Sequence, residues 1–222
     1  MKQPCKTENC PNEVEVPDDP MLAKFTFFCA ACCERFSAEA KARDEKALRD
    51  SRLAAWKKIC PPDFQATDIS RLPIPAKAQE ILSWNYGRKG LLLHGKTGKG
   101  KSRCAWLLCE RIFYSGKSIQ ILGAMSGFEY AGVFEGGGRA VVDWIDRRAK
   151  CGLLFCDDVF KVKLTDSFEA AVFAIVDYRM SHGLPIMATL NDTGETLAGR
   201  MSADRGDAFV RRLKEMCEVV QF

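Results

Sequence analysis

Gly95-Lys96-Thr97-Gly98-Lys99-Gly100-Lys101-Ser102 fits G-x-x-x-x-G-K-[ST] at every fixed position. Leu91-Leu92-Leu93-His94 before it reads as a short buried strand. Ser102 to Tyr114 after it reads as a helix, with Ala105, Leu108, Ile112 and Phe113 at helical spacing. Strand, glycine turn and helix together make a phosphate cradle. The glycines allow successive backbone N–H groups to point inward, and the helix N-terminus adds positive potential. Lys101 is placed to reach the β/γ-phosphates and Ser102 to ligate Mg²⁺.

Working outward, the chain from Asp63 onward alternates short apolar strands with helices. Ser118–Leu122, Gly152–Cys156 and Leu184–Thr189 read as buried parallel strands, and Cys217–Phe222 as a last one. Helical segments run from Val141 to Ala149 and from Phe168 to Ser181. Repeated β-α units predict a parallel sheet with helices on both faces.

Gly152-Leu153-Leu154-Phe155-Cys156-Asp157-Asp158 is an apolar strand ending in two acids, the form of a Walker B segment. Asp157 is expected to hold Mg²⁺ and Asp158 to act as general base toward water. The next strand ends at Asn191, within Asn191-Asp192-Thr193-Gly194, which alone reads as a turn. In register after the acidic strand, the amide is expected to orient water near a γ-phosphate.

Upstream, five cysteines fall within the first 33 residues. Cys5 and Cys10 form a C-x4-C pair, and Cys29 and Cys32 a C-x2-C pair. Two such pairs suit tetrahedral Zn²⁺ in a structural site, with Cys33 an alternative to Cys32. Lys24–Phe28 is expected to be a strand leading into the second pair, as in a zinc ribbon. So small a module has too little core to fold unaided, so an ordered one needs its metal. Residues 1–33 therefore read as a zinc-ribbon-like module, 34–60 as a charged helical linker stopped by Cys60-Pro61-Pro62, and 61–222 as the nucleotide-binding domain.

The 222 residues are 47% hydrophobic and 28% charged with a net charge of +4, so global charge does not announce nucleic-acid binding. No apolar run nears the ~18 residues of a membrane span, and the start lacks a signal-peptide core. A cytoplasmic protein without membrane contact is expected. The scattered Cys104, Cys109, Cys151, Cys156 and Cys217 read as small buried hydrophobes.

From about Pro61 to Phe222 the chain resembles the AAA+ ATPases, nearest the DnaC-type helicase loaders and the IstB-type transposition helpers. The matching runs are Asp157-Asp158-Val159, Leu164-Thr165-Asp166, Phe173 to Arg179, Gly183-Leu184-Pro185, Phe209 to Leu213 and Cys217 to Val220. The resemblance implies an ATPase hydrolysing ATP with Mg²⁺ at subunit interfaces of a homo-oligomeric ring or spiral. It also implies a replicative helicase and single-stranded DNA as partners, or assistance to transposition. Arg212, with Arg205 as second candidate, matches the arginine that reaches a neighbour's γ-phosphate; Arg211 and Arg212 otherwise read as a solvated helix face. No helical lid follows the last strand, which implies weak or partner-dependent turnover. The compact chain and its replaced N-terminal module fit a phage-encoded loader. Phe128, Tyr130 and Phe134, with Arg139, Arg147, Arg148 and Lys150, fall where this family lines its DNA channel, and read equally as core and solvated face.

Overall fold

A computed structural model describes residues 2–16, 27–159, 165–191 and 194–222, without the side chains of 194 and 203. The chain divides into two compact units, Met1–Ala55 and Trp56–Phe222. Among the described residues no helix is long and apolar enough to cross a membrane.

In the first unit, β1 (Lys2–Pro4) pairs antiparallel with β2 (Glu13–Glu15), and the turn between them carries Cys5 and Cys10. Helix α1 (Ala30–Ile59) starts immediately after Cys29. The second cysteine pair therefore sits at a helix N-terminus. Of the strand expected at Lys24–Phe28, Lys24–Thr26 lie outside the described residues, and Phe27 and Phe28 are irregular. Phe28 instead packs edge-on against Phe36 of α1, 5.2 Å between centroids.

The second unit opens with the last turn of α1, where Trp56 is buried against Trp106 and Phe113. Two prolines then stop the helix, and Pro62 begins α2 (Pro62–Gln65), where its missing N–H costs nothing. A 3₁₀ turn at Ile69–Arg71 and α3 (Pro75–Leu82) lead to β3 (Gly90–His94) and α4 (Lys101–Tyr114). Then follow β4 (Ile119–Leu122), α5 (Ser126–Glu135), α6 (Gly138–Lys150), β5 (Leu153–Asp157), α7 (Asp166–His182), β6 (Ile186–Leu190), α8 (Gly194–Arg200), α9 (Ala203–Met216) and β7 (Cys217–Gln221). Each strand expected in this unit from sequence is present, displaced by at most two residues at either end.

The five strands β3 to β7 form one parallel sheet in the order β4-β5-β6-β3-β7. Alternate side chains point to opposite faces. Leu92, Leu154, Ile186 and Ala188 join Trp144, Phe168 and Phe209 in one apolar layer. Leu91, Leu93, Leu153, Phe155 and Met187 join Ile81, Trp106 and Ile112 in the other. Both faces are covered, which is why the strands read as unbroken apolar runs. The five scattered cysteines are all buried in this unit. Burial pushes the Cys156 thiol up to about 12 and the Cys104 thiol to about 11, as expected of inert apolar side chains.

At the amino ends of the strands lies Arg179, fully buried and, among the described residues, with no carboxylate at ion-pair distance. Its guanidinium donates to the carbonyls of Arg148, Ala149, Cys151, Gly152 and Pro185, at 2.6 to 3.3 Å. These are the last turn of α6 and the residues entering β5 and β6. One side chain thus satisfies the orphan carbonyls of a helix end and aligns two central strands. Desolvation lowers its pKa, yet an arginine stays charged. Arg179→Met leaves those carbonyls buried without donors and is expected to cost about 3 kcal/mol. Arg179→Lys recovers only part of this, because an ammonium cannot span the same fork. The urea midpoint of the full chain measures both.

Candidate nucleotide and metal sites

The phosphate loop occupies the carboxyl end of β3. Gly98 (φ 81°) and Gly100 (φ 94°) take left-handed geometry, and Gly100 directly precedes α4. Gly95 (φ 139°) lies so close to the Phe222 carbonyl at the end of β7 that a Cβ there would overlap it. Lys101 is buried, and its ammonium donates to the carbonyls of Gly95 (2.7 Å) and Lys96 (2.9 Å) and to Asn191 Oδ1 (2.8 Å). Lys96, Thr97 and Lys99 complete the loop.

Because β6 lies between β3 and β5, the residue ending it stands beside both neighbours. Asn191 accepts from Lys101 and donates through Nδ2 to Asp158 Oδ1 at 3.2 Å. One amide therefore joins the loop lysine to the second acid. Asp158 itself holds φ 56°, a left-handed backbone that places its carboxylate beyond the strand end. The first acid, Asp157, accepts from Ser102 Oγ (2.8 Å) and from Thr189 Oγ1 (2.6 Å) on the same oxygen. Thr189 was quoted in sequence only as part of a strand. Its role follows from register, since Asp157 and Thr189 are direct partners across β5 and β6. Ser102 and Asp157 offer the hard oxygen ligands that Mg²⁺ prefers.

A cleft of about 420 Å³ opens over this constellation, lined by Phe64, Leu72, Thr97, Ser102, Asp158 and Asn191 among others. A second, of about 410 Å³, adjoins it and shares Arg71, Leu72 and Arg103. Arg103, next to Ser102, donates to the Asp63 carbonyl at 2.7 Å and lies over the Phe64 ring, which stacks on Trp106. The first turn of α4 thereby anchors the segment that walls the cleft. Sequence reasoning missed this wall.

The two candidate arginines do not line the cleft of their own chain. Arg212 pairs with Asp177 of α7 (Nε to Oδ1, 2.9 Å) and lies 4.6 Å over the Phe173 ring. Arg205 is 3.6 Å from Glu169, a buried carboxylate that also accepts from the Ser202 backbone and hydroxyl.

The aromatic segment separates into two kinds of residue. Tyr130 is core, packed on Trp144 and Phe168. Phe128 (75% exposed) and Phe134 (57%) face outward with Met125. Of the four basic residues, Arg148 is buried, paired with Glu129 at 2.8 Å and stacked 3.8 Å over Trp144. That pairing corrects the expectation of a DNA-facing Arg148; it belongs to the core, as Tyr130 does. Arg139 and Lys150 pair with Asp143 and Asp146 on the surface of α6.

In the first unit the sulfurs of Cys5, Cys10, Cys29 and Cys32 all lie within 4.8 Å of one another. Cys10 is 3.7 Å from Cys29 and 3.5 Å from Cys32. Tetrahedral Zn²⁺ with Zn–S near 2.3 Å needs sulfur–sulfur edges of about 3.8 Å, so the set fits a metal of that size. Cys33 is exposed and turns instead toward the Phe28 carbonyl. The Cys29 N–H donates to Cys5 Sγ (3.3 Å) and, with Thr7, lowers the Cys5 pKa to about 6. Asn12, donating to Cys29 Sγ at 3.4 Å, lowers that thiol in the same way. Second-sphere donors of this kind stabilise the thiolate form that a metal requires.

No protein-family model matches the sequence, and no curated protein matches it. Solved structures do. The chain superposes on DnaI with a TM-score of 0.55 at 18% identity, over 73% of this chain and 94% of that one. On the DnaC helicase loader the TM-score is 0.54 at 17% identity, over 76% and 98%. On AMPPCP-bound DnaA from Aquifex aeolicus it is 0.57 at 15%, over 73% of this chain and 50% of that chain. At such identities the likeness is one of fold, and the fold of the second unit is that of a P-loop AAA+ domain.

Proposed function

We propose that this chain is an AAA+ ATPase of the helicase-loader type, acting in DNA replication. In this reading it binds ATP with Mg²⁺ and hydrolyses it at the interfaces of a homo-oligomer. It engages single-stranded DNA and delivers a replicative helicase. The fold shared with the DnaC helicase loader supports this, as does the likeness to a replication initiator DnaA bound to AMPPCP and single-stranded DNA. The observation that carries it is the continuous hydrogen-bonded link from Lys101 through Asn191 to Asp158, beside the Ser102–Asp157–Thr189 cluster.

Each part then has a task. Lys101 exchanges loop carbonyls for phosphate oxygens when a triphosphate enters, which releases the Asn191 carbonyl. The backbone amides between Gly95 and Ser102 hold the phosphates. Ser102 and Asp157 hold Mg²⁺, which neutralises charge developing between the β- and γ-phosphates. Asp158 takes the proton of the attacking water and Asn191 orients that water. The wall of Phe64, Arg71 and Leu72 receives nucleobase and ribose. Arg212, or Arg205, leaves its carboxylate on α7 to stabilise the transferred phosphoryl group in a neighbouring subunit. The outward Phe128 and Phe134 offer stacking faces to single-stranded DNA. Cys5, Cys10, Cys29 and Cys32 hold structural Zn²⁺, with every position filled by thiolate and none left for chemistry.

Asp158→Asn separates charge from backbone, since asparagine tolerates the left-handed geometry better than most residues. Turnover is expected to fall at least ~100-fold, the usual contribution of a general base, while binding of a fluorescent ATP analogue persists. Unchanged turnover would sink the hydrolytic reading. In the metal site, Cys32→Ser is expected to lower zinc content well below one ion per chain, and Cys33→Ser to leave it at one. Elemental analysis of the purified variants decides; equal content in both would refute the assignment.

A further inference from the structure

In a parallel sheet every strand begins at one end, so here all five amino ends and the helix carboxyl ends face away from the phosphate loop. That end gathers cations. Arg88 and Lys89 immediately precede β3 and Lys117 precedes β4, all three exposed. Among the described residues none of the three has a carboxylate within ion-pair distance. The buried Arg179 adds a fourth positive charge, balanced by carbonyls alone. Carboxylates at this end include Asp146, taken by Lys150 at 2.6 Å, Glu80, paired with Lys77, Glu215, facing Arg211, Glu110 near the end of α4 and Glu218 on the edge strand.

These cations form one band. Lys117 lies 5.4 Å over the Tyr86 ring, and the Tyr86 hydroxyl donates to the Gly152 carbonyl at the entry to β5. Arg88 lies over Gly183, the left-handed cap of α7, where a Cβ would come within 2.6 Å of its Nε. The band runs across the starts of β4, β5, β6 and β3, three strand spacings or about 14 Å. Cations at helix carboxyl ends often do no more than offset the helix dipoles. Within the fold Arg179 serves the end of α6, and Arg111 donates to the Leu82 and Trp84 carbonyls at the end of α3. Arg88 stands at the cap of α7 and Lys117 follows α4, so each can offset a helix end and still present an exposed charge with no carboxylate partner among the described residues.

We propose that this edge docks the phosphodiester backbone of duplex DNA. Over about 14 Å of axis a duplex carries on the order of eight phosphates, enough to face each cation. Each nearby ring has one face occupied, Tyr86 by Lys117 and Tyr178 by the stacked His182 at 3.9 Å, which leaves charge as the main means of recognition at this end. This surface is separate from the outward aromatics of α5 and from the nucleotide site.

The test uses the full chain carrying Arg88→Ala, Lys89→Ala and Lys117→Ala together. Anisotropy of a labelled duplex and of a labelled single strand is followed across a salt series, with a fluorescent ATP analogue reporting the integrity of the fold. Losing three phosphate contacts should weaken duplex binding at least ~10-fold and make the log–log salt slope shallower by about 3, with nucleotide binding unchanged. A charge-conserving Arg88→Lys, Lys117→Arg variant should keep the slope. If the triple variant does not fold, Lys89→Ala alone should lower the slope by about 1. Duplex binding with the same affinity and slope in variant and wild type overturns the proposal. So does a loss confined to the single strand, or a wild-type chain that does not bind duplex. None of these outcomes touches the ATPase reading, which rests on other residues.

Discussion

Because β6 lies between the phosphate-loop strand and the acidic strand, the residue at the carboxyl end of β6 stands between the loop lysine and the second acid, while Ser102 reaches the first acid directly. That residue is Asn191, and its amide faces both ways, accepting from Lys101 and donating to Asp158. A short polar side chain with a donor and an acceptor is the simplest solution to that geometry. The rest of the site follows from the same insertion. Thr189, one turn of the pleat earlier, is placed against Asp157 by register and fixes which oxygen Ser102 can reach. Lys101 places its charge on the loop carbonyls of Gly95 and Lys96 as well as on Asn191, so the lysine, the loop and the amide hold one another in place.

The two ends of the sheet are built from opposite chemistry. At the carboxyl end, glycine geometry and the start of α4 present N–H groups, a setting for anions. At the amino end, helix termini present carbonyls, and a buried arginine collects those of α6 with the entries to β5 and β6. Arg179 thus ties together the starts of the two strands, β5 and β6, whose other ends carry Asp157 and Thr189 as direct partners.

Much of this was legible in the residues. The strands announced themselves because both faces of a parallel sheet are buried, and the loop did so because its chemistry is local to eight residues. What escaped was non-local. Phe64, Arg71 and Arg103 form the wall of the cleft through packing that no short window contains. Tyr130 fell on the core side of two readings the sequence left open, but Arg148 was misjudged for a different reason. A cation on an amphipathic helix is normally solvated, but Arg148 lies flat on Trp144 and keeps its charge paired to Glu129, so its exposure depends on the partner helix. The choice between Cys32 and Cys33 likewise needed the helix. Consecutive positions on α1 point about 100° apart, so only one can face the other three sulfurs.

The cysteine unit extends that last point. Its apolar content is little more than the cysteines themselves, with Val14 packed against them. Such a cluster buries little apolar surface, and its thiols do not titrate alike, Cys32 being pushed up to about 12. Yet the Cys29 N–H and the Asn12 amide are already placed to favour thiolate at Cys5 and Cys29. Donors that stabilise negative sulfur would work against a metal-free core and in favour of a metal-bound one. The same hairpin and helix start therefore make physical sense as a unit whose folding is coupled to binding a cation. The second unit, by contrast, has two apolar layers of its own.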